Sequence, residues 1–372
     1  MRRMVLYVSL FISMYVHSAV QITDVKATPI SPWAVKIDYR VVGGNGTGPL
    51  LFASNTITHQ VYCANPNTIK GDFKLTEGRH SIRWNLMEDD VKWDRCNVAF
   101  EILDGTYCVI DLSGGANATS YPVTYLSDIP SGGWKAEHKT TKLVLRLIEP
   151  GSFKMKGSYD ITLTKYYYIG IFEVTQKQYE LVTGRNGSNY KGDNFPVQQV
   201  SWNMIRGSAS VHNWPSTKTV DVNSFVGILR EKTGLNFDLP TEAQWEYACR
   251  AGSTTTFYWG DLSVDNYAWY SGNSGNRIHE VGKKEANNWG LYDMHGNVAE
   301  WVLDAWGELE DIGDNVFDYE GPLPVNNDRV LRGGAFSHNP SDSTFYRFGY
   351  AAHRTNHYNG EFGFRVVSGF AP

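Results

Sequence analysis

The chain has 372 residues, 42% of them hydrophobic and 20% charged, a globular balance that excludes a wholly disordered protein. Its net charge of -5 argues against a basic surface holding nucleic acid or anionic membrane. The length exceeds one typical domain and suits two of unequal size.

The first residues read as an export signal. A basic "MRR" precedes the apolar run "MVLYVSLFISMYV" and the small residues of "HSA". The run is shorter than the roughly 20 residues a spanning helix needs. Residues 1–19 are therefore expected to be a signal peptide cleaved after Ser18 or Ala19, a retained anchor being the alternative. No second span follows, so the mature chain is expected in the periplasm, at the cell surface or secreted.

Residues 20–113 read as a small Ig-like β-sandwich. Val35, Ile37, Tyr39 and Val41 alternate onto one face, as do Ile82, Trp84 and Leu86, and Val98, Phe100 and Ile102. Leu103–Tyr107, "LDGTY", carries a hairpin signal between two such runs. Three of the four cysteines, Cys63, Cys96 and Cys108, fall here, and an oxidising compartment would permit one disulfide among them. A linker over 114–139 begins in "SGGANATS".

From residue 140 to 372 the texture changes to α+β. "TKLVLRLI" reads as a strand, and "QKQYELVTG" as a short helix stopped by Gly184. Val222, Phe225, Ile228 and Leu229 recur at helical spacing before a stop at Gly234. In "LPTEAQWEYACRAG", Thr241 and Gln244 form a capping box, Arg250 complements the last turn, and Gly252 follows. Cys249 lies in this apolar pattern, as a small buried side chain would. The remaining 120 or so residues carry almost no helical period and are rich in Gly and Trp.

The segments "FEVTQKQYELV", "FPVQQVSW", "LPTEAQWEYACRAG", "NNWGLYDMHGNVAEWV", "RVLRGGAF" and "GFRVV" occur in one order over residues 140–369. In that order they resemble the sulfatase-modifying-factor domains of the formylglycine-generating enzyme family, which have a C-type-lectin-like fold. Residues 203–238 look like an insertion relative to the simplest members, and the N-terminal sandwich lies outside the resemblance. For active members the resemblance implies copper-dependent oxidation of a substrate cysteine by molecular oxygen, with two thiolates holding the metal. Soft sulfur donors select Cu(I). The matching stretch here is "FYRFGYAAHR", where Tyr346, Arg347, Ala351 and Ala352 set the register and Phe345 and Tyr350 occupy the thiolate positions. No cysteine follows Cys249, so no shift of register restores the pair. Ala299 and Ala335 stand where active members have a Trp and a Ser near the oxygen pocket. Copper is accordingly not expected.

The resemblance also implies a structural calcium ion. Carried over position by position, Asp293 and Glu300 would give side-chain oxygens, and Gly296 and Val298 backbone carbonyls. The bland alternative is that both carboxylates only bond turn amides. A second calcium site beginning at Asn266 and Tyr267 maps poorly onto "YSGNSGNR" and is left unassigned.

Other chemistry is weaker. His279, His295, His338, His353 and His357 show no helical zinc-pair context, and there is no P-loop, nucleophile elbow or dinucleotide fingerprint. "GGNGTG" is a turn, and Asn45, Asn117 and Asn186 head glycosylation sequons without a known compartment to use them. The tail from Ser337 to Phe362 is rich in Tyr, Phe, Asn, His and Ser, which suit adaptable recognition. The expected function is non-catalytic recognition of a protein or glycan through a cleft that includes Phe345 or Tyr350. The alternative is a formylglycine-generating oxidase with an unusual site, or another protein-modifying oxidation.

Overall fold

The computed structural model describes residues 21–31, 34–42, 49–55, 61–63, 69–71, 78–85, 96–102, 106–307, 316–324, 326–340 and 350–369. The export-signal expectation on residues 1–19 and Phe345 of the expected cleft lie outside them. The chain divides into two compact units, one of residues 1–106 with 124–128 and 371–372, the other of 107–123 with 129–370.

The first unit holds two antiparallel sheets. Strands β1 (Gln21–Ser31), β2 (Ala34–Val42), β3 (Pro49–Asn55), β4 (Val61–Cys63), β5 (Ile69–Gly71), β6 (Gly78–Asn85) and β7 (Cys96–Ile102) are arranged as β1-β2-β6-β5 and β4-β3-β7. The alternation of β2 is visible as burial: Val35, Ile37 and Tyr39 are inside while Lys36 and Arg40 are exposed. Cys63 lies opposite Phe52 and Cys96 opposite Asn55, on either side of β3. Two strand spacings are roughly 10 Å, too far for a disulfide between this pair.

The second unit starts at Tyr107 and takes in most of the 114–139 stretch read from the sequence as a linker. Strand β8 (Tyr107–Asp111) pairs with a later strand, Lys142–Ile148, and β7 pairs with β3, so "LDGTY" does not join a hairpin. The hairpin signal is local, and the alternating run after it found a better partner beyond the turn. After β9 (Val123–Leu126) come β10 (Lys142–Ile148), β11 (Gly151–Met155), β12 (Tyr159–Leu163) and β13 (Tyr167–Gly170). Helices α1 (Gln176–Thr183), α2 (Trp202–Arg206), α3 (Phe225–Thr233) and α4 (Glu242–Arg250) follow, with β14 (Asn236–Asp238) between the last two. The chain ends in β15 (Ala299–Ala305), β16 (Val316–Phe317), β17 (Asp328–Arg332), β18 (Tyr350–Arg354), β19 (Phe362–Gly363) and β20 (Val367–Gly369).

Local chemistry explains the helices. Thr175 and Thr241 each cap a helix through a capping box with Gln178 and Gln244, and Ser224 caps α3. Gly184 and Gly234 end α1 and α3 in the left-handed conformation. At the end of α4 that conformation falls on Ala251, one residue before Gly252. Val222 is exposed and outside α3, so the apolar count had started this helix too early. The short α2 has too few residues to show a period, yet Ser201 caps it.

Strand β20, near the C-terminus, pairs with both β13 and β14 and so closes the central sheet β14-β20-β13-β10-β8. A second sheet, β18-β17-β15-β19, carries the segment from Ala299 to Ala305, all seven residues of which are buried. Burial on both faces removes any alternation, which is why the sequence there resembles neither an ordinary strand nor a helix. Trp202 and Trp301 tie this strand to α2 and to the residue before its cap: each donates its indole N–H, to Val302 O and Val200 O, at 3.0 Å. Beyond Arg250 the described residues contain no α-helix, as the sequence texture implied.

Candidate functional site

The stretch from Asn287 to Asp304 forms a bend that delivers carboxylates into the interior. Gly296 has φ of 76°, and a Cβ there would lie 2.1 Å from Trp269 O, so only glycine permits the approach. Asp293 and Asn297 also sit at positive φ, a conformation that Asp and Asn tolerate better than most. From this bend Asp293, Glu300 and Asp304 point into the protein, each at most 2% exposed.

Glu300 meets Arg365, which is fully buried. Arg365 donates from Nε and Nη2 to both carboxylate oxygens at 2.6–3.0 Å, and from Nη1 to Gly170 O at 2.9 Å. Trp245 adds its indole N–H to Glu300 Oε2 at 2.7 Å. Glu173 lies in the same region, receiving Val298 N–H at 3.0 Å and Asn297 Nδ2 at 2.7 Å. Burial raises its pKa well above the usual carboxylate range, and the charges of Asp293 and Glu300 push the same way. Asp293 accepts Gly282 N–H at 2.6 Å, yet burial outweighs that bond and raises its pKa to about 6.

A second buried group surrounds the start of α4. Arg332 Nη2 lies 2.7 Å from Glu246 Oε2, and Lys156 Nζ lies 3.1 Å from Glu242 Oε1. Asp304 Oδ2 accepts Glu242 N–H at 2.6 Å, while Asp304 Oδ1 and Tyr319 Oη are buried without a hydrogen-bond partner. Burial first, and the charge of Glu242 second, raise the Asp304 pKa to about 8. A carboxyl whose folded pKa is raised contributes stability below its unfolded value near 3.8 and loses it as pH rises through 8. Asp304→Asn is therefore expected to unfold at higher urea than the parent at pH 9 and at nearly the same urea at pH 4. Equal midpoints at both pH values would contradict the assignment.

The four residues expected to hold calcium are brought to this one bend, but the two carboxylates among them are already bonded within the protein. Both Glu300 oxygens face Arg365 and Trp245, and Asp293 receives the Gly282 amide. A cation beside Glu300 would have to compete with a guanidinium that is already there. Among the described residues no group of three or more His, Cys, Asp or Glu side chains is placed to hold a metal. The donor set does not fit calcium as arranged, and the ion pair does the neutralising that an ion would otherwise supply.

The copper positions offer no better donor. Tyr350 opens β18 opposite Leu331, and Ala299 and Ala335 are both buried. Cys249 is fully buried with its thiol pKa pushed up to about 12, and its Sγ lies 3.7 Å from Nδ1 of His295. Burial and the nearby Arg332 lower that imidazole to about 3, so both groups are neutral. A neutral, inaccessible thiol is neither nucleophile nor copper ligand. His279 stacks on Trp269 and bonds Ser274 O, a packing role. The residues that sequence reasoning missed are Arg365, Glu173 and Arg332. Their partners lie 65 or more positions away in several cases, and only the buried-charge rule, applied after folding, finds them.

Comparison with known proteins agrees with this architecture. Residues 134–369 match the family model described as sulfatase-modifying factor enzyme 1-like domain, and the chain belongs to that family. It is 34% identical over 231 residues to "Chaperone protein LppX" of Paenibacillus barcinonensis, a match spanning 52% of this chain and 78% of that protein. It is 32% identical over 168 residues to the formylglycine-generating enzyme of Bos taurus, covering 41% of this chain and 44% of the enzyme. Among solved structures, Treponema denticola variable protein 1 superimposes with a TM-score of 0.50 at 24% identity, over 61% of this chain and 95% of the other, a likeness of fold.

Proposed function

We propose that this protein is an exported, non-catalytic member of its family that recognises a polypeptide through the irregular half of the second unit. The observation carrying this reading is the loss of both thiolate positions to Phe345 and Tyr350, with Cys249 too deep and too weakly acidic to replace them. Export rests on the basic and apolar N-terminal residues. A polypeptide is favoured over a glycan because a relative spanning most of its own length is named a chaperone.

The fold suits the task. The buried ion pairs and tryptophans hold a rigid interior, and loops over a rigid scaffold are where recognition residues sit. Aromatic rings at 345 and 350 would give a thiolate-free cleft an apolar, hydrogen-bond-capable wall. The purified chain is expected to suppress light scattering by a thermally unfolding test protein at near-equimolar ratio. Unchanged scattering at tenfold excess contradicts polypeptide recognition.

A further inference from the structure

Under the turn at His212 and Asn213, arginines outnumber the carboxylates that contact them. Arg206 and Arg329 are both fully buried. Arg206 donates from Nε to Asp238 Oδ1 at 2.9 Å and from Nη1 to His212 O at 2.6 Å. Arg329 donates from Nη2 to Asn213 Oδ1 at 2.9 Å and from Nη1 to Asp328 O at 3.0 Å. The two guanidinium groups are thus bonded to adjacent residues of one turn. Both also lie against the ring of Trp202, their central carbons 5.3 and 5.1 Å from its centroid. Each keeps one N–H with nothing to bond: Nη2 of Arg206 and Nε of Arg329 are buried without a hydrogen-bond partner. Unmet buried donors are costly and call for an explanation.

The charges are as unbalanced as the hydrogen bonds. Asp238 serves two cations, Arg206 at 2.9 Å and Arg230 at 3.1 Å. Glu320, whose carbonyl accepts the Trp214 indole N–H, gives its carboxylate to Lys218. Arg329 is in no ion pair among the described residues, and Asp304 and Asp328 favour its charge only from farther off. Burial first, and the charge of Arg206 second, lower the Arg329 pKa to about 10. The ring faces of Trp202 and Trp214 attract these cations but offset only part of the cost of burying them. A buried charge ordinarily has a partner, and this one has none of its own.

We infer that Arg206 and Arg329 hold a small monovalent anion, chloride in ordinary solutions, against Nη2 of the first and Nε of the second. A water could accept both N–H groups, but it would leave the surplus charge in place. An anion meets both deficits at once. A carboxylate or phosphate would carry further oxygens into the same interior, each needing a donor, whereas a monatomic ion needs only the N–H groups around it. The ion is structural: it fastens the turn at His212 and Asn213 to the buried arginines beneath. This site is independent of what the chain recognises.

The test follows urea unfolding of the full chain as sodium chloride replaces sodium gluconate, whose anion is too large to enter, at constant ionic strength. An ion bound only by the native state must raise the unfolding midpoint with chloride, approaching a tenfold change in the unfolding constant per tenfold rise in chloride. Arg329→Gln removes the unpaired cation and is expected to abolish this dependence. Should that variant fail to fold, Arg206→Lys keeps the charge, loses the orphan N–H and is expected to weaken the dependence about tenfold in affinity. Lys218→Ala, at an exposed cation of the same region, is expected to respond as the parent does. Crystals grown after refolding in bromide are expected to show an anomalous peak within hydrogen-bond distance of both arginines. Equal midpoints in chloride and gluconate overturn the site and leave a water as its occupant. So does a chloride effect that survives in both arginine variants, or bromide found only at the surface.

Discussion

Arg365→Met should be the most damaging single change in the second unit. Its guanidinium is fully buried and holds both oxygens of Glu300, while Glu173 and Asp293 lie close enough for their charges to act on it. Removing one partner of a buried pair leaves uncompensated charge and costs about 3–5 kcal/mol. A domain stable by only about 5–15 kcal/mol would lose a large part of its margin. Two further outcomes separate this explanation from simple loss of packing. First, the deficit should shrink as pH falls through 6, because Asp293, with its raised pKa, takes up a proton and no longer needs the cation. Second, adding Glu300→Gln to Arg365→Met should cost less than the sum of the two single changes, since the double variant removes both halves of the pair. Urea unfolding at pH 5 and pH 8 measures both.

Trp202→Ala should come next. The ring is fully buried, donates its N–H to Val302 O, and lies 5.1–5.3 Å from the guanidinium carbons of Arg206 and Arg329. Removing a buried indole leaves a cavity and costs about 3–5 kcal/mol. The loss should fall on β15 and on the segment from Val200 to Arg206 together, because this bond and the one from Trp301 to Val200 O run between them. Hydrogen exchange should show the amides of both segments losing protection. Loss confined to α2 would mean that the two segments are held by other contacts.

Much of this architecture can be read from local signals. The capping box at Thr241 and Gln244 and the glycine stops at Gly184 and Gly234 are short-range chemistry, and the helices obey them. The ordered motifs gave the family, which the match over residues 134–369 supports. What stayed hidden is non-local. The strand at Tyr107–Asp111 pairs forward with Lys142–Ile148, and no local pattern says which run a strand will choose. Glu300 is followed by Trp301, Val302 and Leu303, a wholly buried strand with no alternation, and nothing near it names Arg365 as its partner. A carboxylate beside a tight glycine turn looks the same in sequence whether a metal or a guanidinium neutralises it. The family resemblance carried a calcium role onto Asp293 and Glu300, and in the structure both Glu300 oxygens meet Arg365, 65 residues on.

The same framework sets the limit on chemistry. Glu300 and Glu246 are balanced by arginines, Asp293 and Glu173 accept amide N–H groups, and the thiol of Cys249 is neutral. On the reading proposed above the chain recognises rather than oxidises, because Phe345 and Tyr350 stand at the thiolate positions of active relatives.

The most direct test of that claim is chemical. The purified chain is incubated with a Cys-x-Pro-x-Arg peptide, Cu(I) and oxygen, and the peptide mass is followed against a control without protein. The account predicts an unchanged peptide. A mass loss corresponding to formylglycine above the control, abolished when Tyr350 and Phe345 are both changed to alanine, would show an active oxidase at that site and contradict it.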